Sequence, residues 1–295
     1  HKRKYKVPHY FKKNNKTSYK VIICENLELL PFAHSKKKSY TKLIFDAREY
    51  YPKQFEDRLA FRLLEGPQNA TICRKYLPKC DYVLTVSQGL ATEYKREFGI
   101  NPILLRSTPV YHEIQVSETN YDEIKLVHHG VANTNRNLHN LIDIVNNLDS
   151  RFSLDLYLGG KSREISRLKS LIKDNVRIRV LNHVPFDEII PTLSNYDIGL
   201  AYYYPTGFNI KHALPNKFFE FIQARLAVLT GPSPDMKDLL DKYGCGFVSE
   251  KFSNQSVINL LNNLSVEQID EAKRASDEAA KVLCWEEESK VLEKL

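Results

Sequence analysis

Three polar residues stand at the start of an otherwise apolar helix pattern, LPNKFFEF, at residues 214–221. Pro215 suits the first turn of a helix. Asn216, Lys217 and Glu220 then share one face, because residues three and four apart are neighbours on a helix. An ammonium group at Lys217 can bind a phosphate, and a carboxylate at Glu220 can accept hydrogen bonds from two vicinal hydroxyls. The alternative is an exposed Lys–Glu ion pair with little energetic effect.

Two turns further along the predicted sheet combine glycine with a basic residue. Gly130 directly follows the strand pattern IKLVHH, and Arg136 stands at the start of the next helix pattern. Gly159 and Gly160 precede Lys161 in the same arrangement. Glycine lets a ligand approach the backbone, and a basic side chain supplies hydrogen-bond donors for phosphate oxygens. Two such turns suit a diphosphate, whereas ordinary turns with solvated cations are the alternative.

A pair of acids in the first half is a second candidate for chemistry. Asp46 and Glu49 follow the strand pattern KLIFD and resemble the carboxylate pairs of glycoside hydrolysis. A helix cap beside a solvated acid explains them equally well. The sequence has no D-x-D triplet, so we expect neither a metal-bound diphosphate nor a metal site.

The elements that position these residues alternate along the chain. Strands are predicted at 19–24, 42–46, 82–86, 102–105, 124–129, 152–158, 176–180, 197–203 and 226–230, with amphipathic stretches such as 91–99, 135–148 and 162–174 between them. This alternation predicts an α/β fold with parallel sheets covered on both faces. In such folds ligands bind beyond the carboxyl ends of the strands.

One stretch, 108–123, has no clear period and is rich in polar residues, as a linker between domains would be. A new strand pattern begins near residue 124. We therefore expect an incomplete first Rossmann-like domain over 1–118 and a second over 119–282. The end, 283–295, is expected to be helical.

The charge of the chain is concentrated at one end. The formal net charge is +7, but residues 1–20 contain eight Lys and Arg residues and no acid, so the rest is nearly neutral. This distribution argues against a nucleic-acid-binding surface across the body of the protein. The basic segment is either a solvated edge or a contact for anionic lipid head groups.

The cysteines and the hydropathy pattern indicate the compartment. The five cysteines are scattered and form no CxxC pair, so neither a zinc site nor a disulfide framework is expected. No apolar run reaches the roughly 18 residues that a membrane span needs. We therefore expect a cytoplasmic protein, with peripheral contact at the inner face of the membrane through residues 1–20.

Taken in order, these motifs resemble the GT-B-fold glycosyltransferases, especially the retaining family-four type (glycosyl transferases group 1), in an N-terminally truncated form. The resemblance covers residues 19–290. It rests on KLIFDAREYYPKQFED, CDYVLTVSQGLATEYKREFG, LVHHGVANTNRNLHNLI, LYLGGKSREISRL, VRIRVLNHVPFDEIIPTLSNYDIGLAYY and LPNKFFEFIQARLAVLTG. It implies two Rossmann-like domains that face each other across a cleft, with the last helix crossing back to the first domain.

The resemblance also implies roles for individual residues. Glu220 would bind the ribose hydroxyls, and Lys217 and Arg136 would hold the diphosphate. The remaining contacts to the nucleotide sugar would come from Gly130, Lys161, Asn216 and, beside the nucleobase, His183. Asp46 and Glu49 would lie near the acceptor and complete the catalytic set with His212.

The sequence departs from the family pattern at two places. The Glu-x7-Glu motif requires an acid eight residues before Glu220, but His212 stands there. His212 either hydrogen-bonds a hydroxyl or phosphate of the sugar donor or is a packed or solvated histidine. After the helix, Arg225 and Ala227 replace the usual Gly and Pro.

The expected function is transfer of a sugar from a nucleotide-diphosphate sugar to a glycan or a lipid-linked glycan, in bacterial surface polysaccharide or glycoconjugate synthesis. Retention, no metal ion, no cofactor and no nucleic-acid partner are expected. Two alternatives remain open: a sugar-nucleotide epimerase of the same fold and a non-catalytic nucleotide- or glycan-binding relative.

Overall fold

The computed structural model describes residues 18–132, 138–172 and 175–295. Its strands are β1 Val21–Cys24, β2 Lys42–Ala47, β3 Tyr82–Thr85, β4 Ile103–Leu104, β5 Ile124–Ala132, β6 Phe152–Gly160, β7 Ile178–Asn182, β8 Ile198–Leu200, β9 Ala227–Thr230 and β10 Gly246–Val248. Its α-helices are α1 Leu30–Lys36, α2 Gly66–Tyr76, α3 Gln88–Phe98, α4 His139–Asn146, α5 Ser162–Leu171, α6 Ile189–Leu193, α7 Phe208–Lys211, α8 Asn216–Gln223, α9 Pro234–Tyr243, α10 Asn254–Asn262, α11 Val266–Val282 and α12 Trp285–Glu288.

The predicted alternation of strands and helices is confirmed. Each of the nine runs predicted as strands overlaps one of the strands β1 to β9. The sequence analysis missed β10, a three-residue strand whose residues are all partly exposed. A strand this short, without a buried apolar run, gives little periodic signal.

Two compact units make up the chain. One unit holds the chain up to Arg106 together with Thr206–Ala213 and Val291–Leu295, and the other holds Ser107–Pro205 and Leu214–Lys290. The first contains a four-stranded sheet in the order β1-β2-β3-β4, and the second contains a six-stranded sheet in the order β10-β9-β8-β5-β6-β7. All strand pairs in both sheets are parallel. The domain boundaries expected after residues 118 and 282 stay predictions.

The topology of the second unit contains a switch point in the order of its strands. From β5 the chain moves outward through β6 to β7 and then returns to β8 on the other side of β5. The order of the strands therefore reverses between β5 and β8. In open α/β sheets, the crevice beyond the carboxyl ends of the strands at such a switch point is the usual ligand site.

Helix α8 is buried along almost its whole length. Phe218, Phe219, Phe221 and Ile222 are fully buried in one apolar cluster, which also contains Val228 of β9. This packing fixes α8 against the sheet, because each buried aromatic side chain removes a large apolar area from water. The helix that carries the predicted site is therefore part of the core.

Several helices begin and end at residues that the sequence marks. Ser87 caps α3 by accepting a hydrogen bond from the backbone N–H of Leu90, and Gly99 ends that helix with a φ of 69°. Ser265 and Gln268 form a reciprocal capping box at the start of α11. Both patterns satisfy backbone groups that a helix end leaves unpaired.

The segment Thr206–Ala213 belongs to the first unit although it follows β8 in the chain. The side chain of Asn209 binds both backbone groups of Tyr50: its Oδ1 accepts from the N–H at 2.6 Å, and its Nδ2 donates to the carbonyl at 3.1 Å. The carboxylate of Glu56 also accepts from the N–H of Phe208. These contacts attach the segment to the loop after β2.

All five cysteines are free thiols. Among the described residues, no helix combines the length and the apolar character needed to cross a bilayer.

Candidate functional site

Most of the residues predicted to bind a nucleotide sugar lie at one edge of the six-stranded sheet. Gly130 lies in the last part of β5, Lys161 directly follows β6, and His183 directly follows β7. Lys217 and Glu220 belong to α8, the helix that precedes β9. Because all strands in this sheet are parallel, their carboxyl ends share one edge. The fold therefore brings residues from four separate stretches to the edge where ligands bind.

A buried lysine lies between two strands at the switch point. The ammonium group of Lys217 lies 3.0 Å from Nε2 of His128 and donates a hydrogen bond to the carbonyl of His129. Nδ1 of His128 lies 2.8 Å from the carbonyl oxygen of Leu200 at the end of β8. A carbonyl only accepts, so Nδ1 must carry the proton, and a neutral ring then accepts from Lys217 through Nε2. His128 thus joins β5, β8 and α8 through one imidazole.

Glu220 lies beside the next histidine of the same strand. One carboxylate oxygen of Glu220 lies 3.0 Å from Nε2 of His129. This distance suits an ion pair, but the ring nitrogen is buried and does not form a well-aligned hydrogen bond. The ring of His129 also packs edge-on against Phe221. A carboxylate and an imidazole in this arrangement can still form hydrogen bonds with a ligand.

The burial of these residues excludes the exposed ion pair that the sequence left open. Lys217 is 5% exposed and Glu220 is 7% exposed. The ammonium group of Lys217 contacts both histidines of β5, and the carboxylate of Glu220 contacts the ring of His129. A buried charge is costly unless it is paired or hydrogen-bonded. The polar start of α8 is therefore an internal cluster, which we call the His–Lys–Glu cluster: His128, His129, Lys217 and Glu220.

The turn after β6 lies next to the end of β5. Gly160 has a φ of 114°, and a Cβ there would lie 3.0 Å from Cγ1 of Val131. Glycine suits this position because its positive φ would strain any other residue and because a Cβ would crowd the side chain of Val131. A Cβ at Gly159 would lie 3.4 Å from the ring of His183. Lys161, which is exposed, precedes α5 directly. The structure thus groups Lys161 and His183 around the glycine turn.

Three other residues were proposed for this site, and the structure describes two of them. Asn216 is the first residue of α8 and is exposed. Arg136 lies outside the described residues. Gly130 has a φ of 140°, a conformation that favours glycine.

The candidate catalytic acids lie at the end of β2 in the first unit. Asp46 is the penultimate residue of that strand, and its carboxylate accepts from Nε of Arg48 at 2.9 Å. Glu49 precedes Tyr50, and its backbone carbonyl accepts a hydrogen bond from the hydroxyl of Tyr94. Both acids are partly exposed. They are accessible to a substrate, and their catalytic role stays a prediction.

His212 belongs to the same unit as these acids. Its ring centroid lies 4.6 Å from that of Phe208, and Phe208 in turn packs against Tyr50 at 5.4 Å. The segment that carries His212 is thus attached to the loop that carries Glu49. The sequence left two possibilities open for His212, and packing against an aromatic ring is one of them. Because His212 is partly exposed, it can still form the other, a hydrogen bond to a hydroxyl or phosphate of the sugar donor.

Sequence reasoning missed the two histidines of the His–Lys–Glu cluster. His128 and His129 were included in a strand pattern without a role. Two imidazoles at the end of a strand that is otherwise buried are a usable signal, because polar side chains inside a sheet need partners. The sequence around the two histidines does not show which residues are their partners.

Comparisons with known proteins identify this fold. Neither a protein-family model nor a curated protein sequence matches the chain. Among solved structures, a point mutant of TarM from S. aureus, in complex with Fondaparinux, alpha-GlcNAc-glycerol and UDP, matches with a TM-score of 0.74 at 12% identity. The match covers 97% of this chain and 57% of TarM, so the chain spans little more than half of that protein.

Two further structures give the same result. HepE from Anabaena, in complex with UDP and glucose, matches with a TM-score of 0.73 at 12% identity, over 98% of this chain and 81% of HepE. Sucrose-phosphate synthase from Thermosynechococcus elongatus matches with a TM-score of 0.75 at 10% identity, over 98% of this chain and 75% of the synthase. Together with the two parallel sheets, these likenesses confirm the expected fold: the chain has the GT-B fold of these glycosyltransferases, with two Rossmann-like units.

Proposed function

We propose that this protein is a glycosyltransferase that moves a sugar from a nucleoside-diphosphate sugar to a hydroxyl of a glycan or a lipid-linked glycan. The observation that carries this proposal is the buried His–Lys–Glu cluster at the switch point between β5 and β8. A buried ammonium group and a buried carboxylate at this edge match the two charges that a nucleoside diphosphate requires, one for phosphate and one for ribose.

The proposed sugar donor is a UDP-sugar. TarM and HepE are both in complex with UDP in the structures that match this chain. In our proposal Glu220 accepts from the ribose hydroxyls, Lys217 and Arg136 neutralise the diphosphate, and His183 lies beside the base. Lys161 supplies a further positive charge at the turn after β6.

The proposed reaction proceeds with retention and without a metal ion. The bond between the anomeric carbon and the diphosphate oxygen breaks, the acceptor oxygen bonds to that carbon from the same face, and the proton of the acceptor hydroxyl passes to the departing diphosphate oxygen. Catalysis consists mainly of positioning the reactants and stabilising the departing diphosphate. Asp46, Glu49 and His212 are the candidates for contact with the acceptor and the transferred sugar.

The biological setting is part of the same proposal. We infer a role in bacterial surface polysaccharide or glycoconjugate synthesis, in the cytoplasm, with the basic segment 1–20 in contact with anionic lipid. Vesicles that contain anionic lipid should therefore retain the full chain more strongly than neutral vesicles, and a variant with the lysines of that segment changed to glutamine should lose the difference.

A thermal-shift panel tests the nucleotide site. UDP, GDP, ADP and CMP are compared at equal concentration, and UDP is expected to give the largest increase in Tm. A ligand at 100 times its Kd stabilises a protein by about 2.7 kcal/mol. The Glu220→Ala variant serves as the control and should show a smaller shift at the same nucleotide concentration. If no nucleotide raises the Tm of the wild-type protein, the proposed site is wrong.

A turnover assay separates the proposal from its alternatives. Release of UDP from a UDP-sugar should depend on an added glycan acceptor. An epimerase would instead interconvert two sugar nucleotides without an acceptor. Tight UDP binding without turnover across sugars and acceptors would indicate a non-catalytic binding protein.

A further inference from the structure

Arg225, the second residue after the end of α8, has an unusual backbone conformation. Its φ is 65°, and among the described residues it is the one non-glycine residue with a positive φ. A side chain makes this left-handed conformation costly, so it persists only where surrounding contacts enforce it. Arg225 is also only 1% exposed. The sequence places an arginine where the family pattern has glycine, and the structure shows what this arginine binds.

The guanidinium group of Arg225 joins three parts of the second unit. Nε donates to Asp277 of α11 at 2.7 Å, and Nη2 donates to the backbone carbonyl of His112 at 2.8 Å. Nη1 donates to the carbonyl of Gln223, the last residue of α8, at 2.5 Å. Arginine suits this position because its planar group presents several donors in a fixed geometry.

Gln223 completes the arrangement from the end of α8. Its Oε1 accepts a hydrogen bond from the N–H of His112 at 3.0 Å, and its Nε2 donates to the carbonyl of Ala280 in α11 at 2.7 Å. Gln223 and Arg225 thus bind both polar backbone groups of His112. We call these three residues, with Asp277, the α8 clamp. The clamp fastens the connecting segment 107–119 and helix α11 to the carboxyl end of α8.

The opposite end of α8 carries the proposed nucleotide site. Apolar packing holds the body of α8 against the sheet, and a helix of two turns moves as a rigid element, so contacts at one end of α8 also affect the position of the other end. We propose that Arg225 is a positioning residue for the nucleotide site: through the α8 clamp it holds α8 in the orientation that keeps Lys217 against β5 and Glu220 beside His129. The nucleotide part of this inference rests on the proposed function.

Replacement of Arg225 by glycine tests the inference. Glycine adopts a positive φ without strain, so Arg225→Gly removes the three guanidinium hydrogen bonds of the clamp without a backbone penalty and leaves those of Gln223 in place. Amide hydrogen exchange in the unliganded protein should become faster at Tyr111 and His112 and also at residues 218–223. The Kd for UDP should rise about tenfold. The KM for the sugar donor should rise, while the KM for the acceptor stays unchanged.

Lys273 provides a matched control. It is another fully buried cation, and its ammonium group binds Ser117 of the same connecting segment at 3.0 Å and Asp197 at 2.8 Å. Lys273→Gln should speed exchange around residues 117–119 and lower the Tm. It should leave exchange in α8 and the affinity for UDP unchanged.

Two results would overturn the inference. In the first, amide hydrogen exchange at residues 218–223 of the Arg225→Gly variant is as slow as in the wild-type protein, and only the Tm is lower. The other is an equal loss of UDP affinity in Lys273→Gln, which would show a general effect of destabilisation. If the wild-type protein binds no UDP, the proposed function fails, but the exchange of α8 in the unliganded variants still decides whether the clamp positions this helix.

Discussion

Polar residues lie at the carboxyl ends of strands in both units, but the two units hold them differently. At the end of β2, Asp46 pairs with Arg48, two residues further along, and the side chain of Arg48 is 58% exposed. In β5, beside the carboxyl end of β8, the partners of the two histidines come from α8, and the contact from His128 to Lys217 spans 89 residues of sequence. The first pair is local and includes an exposed arginine, whereas the contacts of the second set are distant in sequence and buried.

This difference determines what each set contributes. An exposed ion pair gains little, because water screens the charges and the long side chains lose freedom. A buried polar group that loses its partner carries the full cost of desolvation. The residues at β5 should therefore affect both stability and binding, whereas the residues at β2 should affect turnover alone.

The largest effect is expected for Glu220. Glu220→Ala should weaken nucleotide binding by about 1–3 kcal/mol, because buried hydroxyls of the ribose lose their acceptor. Isothermal titration of UDP into the folded variant measures the change. Glu278→Ala, which changes an exposed acid of α11, is the control. Unchanged UDP affinity in a folded Glu220→Ala variant would contradict the proposal that Glu220 binds the ribose hydroxyls. It would also contradict the expected difference between the polar residues of the two units.

Lys217→Ala should have the next largest effect. Its loss leaves Nε2 of His128 and the carbonyl of His129 without their donor, so the free energy of unfolding should fall by about 1–3 kcal/mol. Binding of UDP should weaken far more than binding of uridine, and Arg136→Ala should show the same selectivity. The exposed Lys211 of α7 supplies the control, Lys211→Ala. Equal losses for UDP and uridine would contradict a phosphate contact.

Asp46→Asn should separate turnover from stability. Because its partner is exposed, the free energy of unfolding should change by less than about 0.5 kcal/mol. Affinity for UDP should also stay unchanged, while the rate of transfer falls. Urea unfolding and the transfer assay measure the two effects. A loss of stability as large as that of Lys217→Ala would show that the two strand ends are not held differently.

The last prediction concerns the pH dependence of stability in the first unit. Hydrogen bonds from Arg96 and Lys53 lower the pKa of Glu93 to about 2 from its ordinary value of 4.5. Because the folded pKa is the lower one, the contribution of this carboxylate to stability is present above about pH 4.5 and is lost as the pH falls towards 2. The difference in unfolding free energy between the wild type and Glu93→Gln should therefore shrink over this range. A difference that stays constant would show that the charge of Glu93 has no role.

Much of the fold was predictable, because local rules set it. Strand patterns predicted β1 to β9, since apolar runs of this length form buried strands. Gly130 and Gly160 were predicted as turn residues, but the structure places them in the last parts of β5 and β6, with positive φ angles that favour glycine. The motif around Lys217 and Glu220 predicted a candidate site, since a strand followed by a helix places the start of that helix at the carboxyl edge of a parallel sheet, and the binding role of these residues stays a prediction.

Other features were not predictable from local sequence. The strand β10 has no periodic signal, and the pairing of β5 with β8 was not fixed by any one motif. The role of His128 depends on a carbonyl at Leu200 and an ammonium group at Lys217, which come from two other elements. The segment that contains Asn209 and His212 belongs to the first unit although its neighbours in the chain belong to the second.

The sequence by itself determined the order of strands and helices, the caps and turns, and the residue types available at the carboxyl ends of the strands. These features follow from periodicity and from the steric limits of individual residues. Only the tertiary structure decided that Lys217 and Glu220 are buried against two histidines and that Arg225 is bound to His112 and Asp277. The physical reason is that the energy of a charged side chain depends on its burial and on its partners. Both are set by distant parts of the chain that folding brings together.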